Sequence, residues 1–242
     1  MKTTSRWYSG RVEQEMQVVR WGTFGTPVLL FPTAGGDAEE VERFLVIRTL
    51  APLLEAGRIK VYSCDNVAGR AWLSGGHSPR YCAAMQDGFD GFVYHELVPA
   101  IRGDCRSQGI EIIATGASIG AFNAVAAICR HPDVFSHAIG MSGTYDPRRY
   151  VPGDFPEEMY FASPLHFLPG LDGGILGRLR RRFVILAHGQ GRWEDPGESW
   201  RMAEVLGAKG IPNRVDPWGP EWDHDWPTWR AMLPHYLDEL TR

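Results

Sequence analysis

The residues best placed to do chemistry in this 242-residue chain are Gly116-x-Ser118-x-Gly120, which close the apolar run Ile110-Glu-Ile-Ile-Ala-Thr115. A strand that turns sharply into a helix at a serine lifts the hydroxyl clear of the backbone, where it can attack an acyl carbon. Glycine suits both flanks because such a turn brings chain segments closer than a Cβ allows. The motif alone is weak, since this glycine and serine content supplies it by chance roughly 0.15 times per chain. Its setting is what separates it from an ordinary serine in a glycine-rich turn. Phe122, Val125, Ala126 and Cys129 follow at helical spacing, and His131-Pro132 stops the helix.

A hydroxyl is a poor nucleophile near neutral pH, so a base must take its proton, and histidine is the usual choice. Where the nucleophile sits on such a turn, the partners follow in the order serine, acid, histidine. His224 fits that order, lying in Trp218–Trp226 after a short strand over Asn213–Trp218. His235 follows Pro234 inside the closing helix, where packing is commoner. His77, His95 and His166 precede any final strand, and His131 and His137 flank an interhelical turn.

The acid belongs just beyond the strand Arg182–Ala187, where it can fix the imidazole tautomer and stabilise imidazolium. There, His188-Gly-Gln-Gly-Arg-Trp-Glu194-Asp195-Pro196 offers Glu194 and Asp195, while Glu198 is expected to begin the next helix. An acidic residue before proline also serves as a helix N-terminal charge, a role that suits Asp195.

An oxyanion loop should follow the early strand Pro27–Phe31, where Phe31-Pro-Thr-Ala-Gly-Gly-Asp37 stands. The backbone N–H groups of Ala34 and Ile119 are its candidate donors. Losing one such donor typically costs about 2.7–4 kcal/mol. His188-Gly-Gln-Gly191 looks like the H-G-x-G oxyanion loop of lipases but comes too late in the chain. Gly35-Gly36 has neither the lysine nor the further glycines of a phosphate loop. Asp223-His224-Asp225 are adjacent and cannot all face one ion without strain, so neither a metal nor an organic cofactor is expected. Of the tryptophans near His224, Trp226 and Trp229 share a helix face as packing residues would. Trp222 is the candidate for lining a substrate pocket.

The elements that must hold these groups can be read from the apolar pattern. Strands over Met16–Trp21, Pro27–Phe31, Ile59–Cys64, Ile110–Ala117, Ser136–Met141, Arg182–Ala187 and Asn213–Trp218 alternate with helices. The helices are expected over Glu39–Ala56, Gly91–Arg102, Ile119–Arg130, Trp200–Lys209 and Thr228–Leu240. That alternation predicts an α/β fold, a mostly parallel twisted sheet with helices on both faces, built as one domain over residues 1–242. Ligands in such sheets gather at the carboxyl ends of the strands. Ser142–Gly177 breaks the rhythm: strandless and rich in Gly, Pro and aromatics (Tyr145, Tyr150, Phe155, Tyr160, Phe161, Phe167), it is expected to pass over the site and shape its pocket.

Composition excludes several classes. A net charge of −4 and a pI near 6.1 argue against nucleic acid as a partner, and Arg178-Leu-Arg-Arg-Arg182 reads as a solvated helix end. Cys64, Cys82, Cys105 and Cys129 include no C-x-x-C pair, and Cys64 and Cys129 look like buried apolar residues. No stretch approaches a membrane span and the N-terminal residues hold no apolar signal region. The expectation is a cytoplasmic protein with a small-molecule ester substrate and no membrane partner.

Taken together, these residues resemble the putative-esterase family of α/β hydrolases, which includes S-formylglutathione hydrolases, feruloyl and enterochelin esterases and mycolyl transferases. The resemblance spans nearly the whole chain. It is carried by the Phe31–Gly36 loop, Asp65-Asn-Val-Ala-Gly-Arg-Ala-Trp72, Gly116–Gly120, Gly189-Gln-Gly-Arg-Trp-Glu194 and His224-Asp-Trp-Pro-Thr-Trp229. It implies an α/β-hydrolase fold and a serine esterase with Ser118, Glu194 and His224 as the triad. Asp195 stays open because the acid's offset from the glycine varies in the family. Many members have His-Gly where this chain has Pro32-Thr33. The family's mycolyl branch makes an alcohol-accepting acyltransferase the first alternative, and a non-catalytic binding module the second.

Overall fold

The computed structural model describes residues 1–150 and 157–242. Strands β1 (Lys2–Ser9), β2 (Gln14–Trp21), β3 (Thr26–Phe31), β4 (Ile59–Cys64), β5 (Ile112–Ala117), β6 (Phe135–Met141), β7 (Phe183–His188) and β8 (Asn213–Pro217) form one sheet. Their order is β1-β2-β4-β3-β5-β6-β7-β8. All pairs from β4 to β8 are parallel, while β2 is antiparallel to β4 and β1 to β2. The expected mostly parallel sheet is present, and β1 is an addition to it. β1 has no apolar run to mark it: its residues, Lys-Thr-Thr-Ser-Arg-Trp-Tyr-Ser, are mostly exposed at the sheet edge.

Inner strands are buried on both faces, as parallel strands under two helical layers must be. On one face Leu29, Phe31, Cys64, Ala114, Ala138 and Leu186 pack under helices that include Phe89, Val125 and Met202. On the other, Val28, Leu30, Ile113, Met141 and Ile185 meet the closing helix Trp226–Leu240 through Trp229, Leu233 and Leu237. Cys64 and Cys129 are fully buried free thiols whose acidity burial suppresses.

Two of the expected helices are interrupted, by a left-handed residue and by prolines. Glu39–Ala56 divides into Glu40–Arg43, Val46–Thr49 and Ala51–Glu55. Leu45 takes a left-handed φ of 64° between the first two, and Pro52 can occupy only the first turn of the third. The helix expected from Gly91 begins at Pro79, and Pro99 is accommodated by a π-helical turn over Val93–Leu97 before Val98–Asp104. His137 lies within β6 rather than beside an interhelical turn.

The described part of Ser142–Gly177 is strandless, as expected, and carries short helices over Glu157–Ala162, Pro164–Phe167 and Gly173–Leu179. Phe155 lies outside the described residues. Tyr145 is a core residue rather than a pocket wall: it is fully buried, seated over Gly140 and Gly143, where a Cβ would collide with its ring. Tyr150 and Met159 belong instead to a smaller apolar cluster with Trp72, Phe122, Ala34 and Ile119. Trp72 stands edge-on to Phe122 at 5.0 Å, and the Tyr150 ring stacks on it at 6.2 Å. The excursion thus reaches the two loops that carry the candidate oxyanion amides.

Candidate active site

Five loops leave the carboxyl ends of β3, β5, β6, β7 and β8, and the residues singled out above sit on them. Ser118 joins β5 to the helix Ile119–Arg130 with φ 58° and ψ −122°, a conformation that a non-glycine residue holds only under constraint. The constraint is visible. Ser118 N–H donates to the Met141 carbonyl at 3.0 Å, and its own carbonyl accepts from Ala121 at 3.1 Å. A Cβ on Gly120 would lie 2.6 Å from the carbonyl oxygens of both Phe31 and Pro32, and one on Gly116 would strike the Gly120 backbone. The helix start is therefore wedged against the β3 loop, and both motif glycines are sterically required.

This gives a stability prediction. Gly120→Ala should cost about 3 kcal/mol or more, because backbone rather than a flexible side chain must move. Gly177→Ala, at a helical position with open space around it, should be neutral or stabilising by up to about 1 kcal/mol. Urea unfolding of both variants checks the contrast, and equal midpoints would refute it.

Past β7, the segment Gly189–Asp195 is zipped to the loop that carries His224. Gln190 and Gly191 donate to the carbonyls of Gly219 and Trp222, both at 2.9 Å, and His224 N–H donates to the Arg192 carbonyl at 3.0 Å. Asp223 accepts from the Arg192 backbone at 2.7 Å and from its guanidinium at 3.0 and 3.1 Å. That pairing holds the Asp223 carboxyl below its usual range. A side chain on Gly189 would run into the Trp222 carbonyl, so the Gly-Gln-Gly run exists to let two loops interlock.

The two acid candidates face different surroundings. The Glu194 side chain is only 1 % exposed, with Oε2 3.9 Å from Nδ1 of His224, which is 24 % exposed. Its other oxygen accepts from the Ser142 hydroxyl at 2.5 Å, and Ser142 Oγ in turn accepts from Trp229 Nε1 at 2.9 Å. The Asp195 side chain is 54 % exposed and 3.8 Å from Arg149, immediately before the helix Pro196–Ala208. Glu198 lies in that helix's first turn and accepts from the backbone of Tyr145 and Asp146 at 2.6 and 2.9 Å, anchoring the excursion.

Ser142 and the indole of Trp229 were not foreseen as site residues. Ser142 has a left-handed φ of 47° and belongs to no motif; only its place at the carboxyl end of β6 marks it. Trp229 packs on Trp226 as expected, at 5.0 Å, and also edge-on against the His224 ring at 5.2 Å. A buried indole needs an acceptor, a requirement that pointed to a partner without naming it. Trp222 packs edge-on against Trp218, in an aromatic group continuing to His235 and Tyr236.

Thr33 is gripped from two sides in the β3 loop. Its N–H and hydroxyl donate to the buried Glu40 carboxylate at 2.7 and 2.8 Å, whose pKa is raised by burial. Its carbonyl accepts from Asn66 Nδ2 at 3.0 Å and from Gly36 N–H at 3.1 Å. Neither the Ala34 nor the Ile119 amide donates to an acceptor among the described residues. Among the described residues no cluster of His, Cys, Asp and Glu could hold a metal ion. No described helix is long and apolar enough to cross a membrane.

Residues 72–239 match the model of a family described as "Putative esterase". No curated protein matches the chain by sequence. Among solved structures the chain is similar to a ferulic acid esterase, at 17 % identity and a TM-score of 0.75, covering 100 % of this chain and 98 % of that one. It is similar to an S-formylglutathione hydrolase from Agrobacterium tumefaciens, at 13 % identity and a TM-score of 0.70, covering 99 % and 94 % of the two chains. A fluorophosphonate-binding serine hydrolase F from Staphylococcus aureus gives 12 % identity and a TM-score of 0.70, with 100 % and 98 % covered. At these identities the likeness is one of fold.

Proposed function

The chain belongs to the putative esterase family and is an esterase of the α/β-hydrolase fold; from that premise we propose that it hydrolyses carboxylic esters through an acyl-enzyme on Ser118. The observation that carries this reading is the buried Glu194 carboxylate, with one oxygen occupied by Ser142 and the other facing Nδ1 of His224. The 3.9 Å separation is longer than a hydrogen bond, and closing it would set the imidazole proton on Nδ1 and leave Nε2 free to act as base.

In this mechanism Ser118 Oγ attacks the ester carbonyl carbon as His224 Nε2 takes the hydroxyl proton. The carbonyl oxygen becomes an alkoxide held by the Ala34 and Ile119 N–H groups, two donors with no other acceptor to leave. Collapse of the tetrahedral adduct breaks the bond to the alcohol oxygen, which receives the proton from His224. Water then attacks the acyl-Ser118 carbonyl, giving its proton to His224, and the carboxylic acid leaves as Ser118 is reprotonated. Glu194 stabilises the imidazolium in each half-reaction.

A fluorophosphonate probe should add once per chain, with the adduct on the peptide containing Ser118 when the digested protein is read by mass spectrometry. An adduct on any other serine, or none while a p-nitrophenyl ester is being turned over, would remove Ser118 from the mechanism.

A further inference from the structure

The β3 loop carries one candidate oxyanion donor, and the loop's own Gly36 N–H, donating to the Thr33 carbonyl at 3.1 Å, is one of two groups that set which way the Ala34 N–H points. The Thr33 carbonyl and the Ala34 N–H belong to the same peptide, and in a trans peptide the two point in opposite directions. Whatever holds the Thr33 carbonyl therefore aims the Ala34 N–H. Asn66 holds it: Nδ2 donates to Thr33 O at 3.0 Å and to Pro32 O at 3.3 Å, and the Asn66 backbone N–H donates to Gly36 O at 3.1 Å.

Asn66 is itself held in a directed chain of amides. Its Oδ1 accepts from Gly69 N–H at 2.9 Å and from Asn123 Nδ2 at 3.4 Å, and Asn123 Oδ1 accepts from Gln86 Nε2 at 3.1 Å. Asn66, Asn123 and Gln86 are all buried. Gln86 starts the chain through its NH₂, and Asn123 and Asn66 each present their carbonyl to the preceding NH₂ and their own NH₂ to the next acceptor, so the chain ends with both Asn66 donors on the loop. Hydrogen bonds aligned in this way in a low-dielectric interior reinforce one another. Gly69 fits the same design, because a Cβ there would lie 2.7 Å from Asn66 Nδ2 and against the Ala34 carbonyl.

Asn123 is the link that gives the chain a purpose beyond packing. It lies in the helix Ile119–Arg130, whose first residue carries the other candidate donor. The relay Gln86–Asn123–Asn66 thus ties the helix bearing the Ile119 N–H to the loop bearing the Ala34 N–H. We propose that Asn66, fixed by Asn123 and Gln86, is a positioning residue that aims the Ala34 amide and sets its spacing from the Ile119 amide. This inference rests on the serine-esterase reading above.

The test uses Asn66→Ser, too short to reach the Thr33 carbonyl, and Asn123→Ser, which releases Asn66 without removing it. Rates with p-nitrophenyl acetate are divided by the sites titrated with a fluorophosphonate, so that misfolded protein does not count. Removing an oxyanion donor lowers kcat by about 10²–10³-fold, so mis-aiming one should lower it about 10- to 100-fold in Asn66→Ser. For Asn123→Ser the loss should be about 3- to 10-fold. KM should move less than about threefold, and the Ki of an aryl trifluoromethyl ketone, whose adduct carries an oxyanion, should weaken in step with kcat/KM.

Full kcat per titrated site in Asn66→Ser would overturn the proposal, as would a loss appearing only in KM. If Asn66→Ser does not fold, unchanged kcat in Asn123→Ser overturns it equally. Activity surviving in Ser118→Ala would instead refute the underlying mechanism, so the two failures are distinguishable.

Discussion

Ser118→Ala is expected to lower kcat/KM toward a p-nitrophenyl ester by about 10⁴- to 10⁶-fold, with His224→Ala close behind. In the proposed mechanism both act in one step, formation of the acyl-enzyme, so the double variant should be little worse than either single one. What survives is the rate that binding and the oxyanion amides sustain with water as nucleophile. The fold should tolerate the change. Ser118 is held through its backbone N–H and carbonyl, and alanine retains both. Its φ of 58° costs alanine about what it costs serine. Steady-state kinetics together with thermal unfolding decide the matter. A variant that keeps its melting temperature and more than about a tenth of the wild-type rate is incompatible with this serine as nucleophile.

Glu194→Gln is expected to lower kcat by about 10⁴-fold, whereas Asp195→Asn should stay within about twofold of wild type. Glutamine is nearly isosteric, and its carbonyl can still accept from the Ser142 hydroxyl that now holds Oε1. The NH₂ then occupies the position facing His224 Nδ1. A donor there favours the tautomer with Nδ1 as acceptor and the proton on Nε2, which cannot take a proton from serine. The loss should therefore fall on kcat with the fold intact. Asp195 is more than half exposed beside Arg149, and such surface pairs contribute little. Parallel kinetics on the two variants separate the roles, and a large loss in Asp195→Asn with none in Glu194→Gln would transfer the acid to Asp195.

The contrast between these two carboxylates marks where reading the chain stops. They are adjacent and chemically alike, and both lie at a suitable distance past β7. One peptide step turns Glu194 inward onto Ser142 and leaves Asp195 in solvent. Ser142 is 52 residues from Glu194 and Trp229 is 87 from Ser142, and no local pattern ties them together. The same holds for Asn66, whose partners lie on the β3 loop and on two helices. Trp222, the candidate pocket residue beside His224 in sequence, packs edge-on against Trp218, a contact between neighbours four residues apart.

What the amino-acid order determined unaided was everything set by local backbone demands. The run into Gly116-x-Ser118-x-Gly120 specifies a strand, a tight turn and a helix within about twenty residues, because glycine, aliphatic spacing and a closing His-Pro each act on their neighbours. The alternation of apolar runs then dictates a parallel sheet, and the sheet dictates that the loops at its carboxyl edge meet. Tertiary structure alone decided which side chains on those loops are buried and which hydrogen bonds they make. Burial and hydrogen bonding depend on groups brought together from across the chain. The aim of a single N–H, as at Ala34, depends on what grips the other side of its peptide.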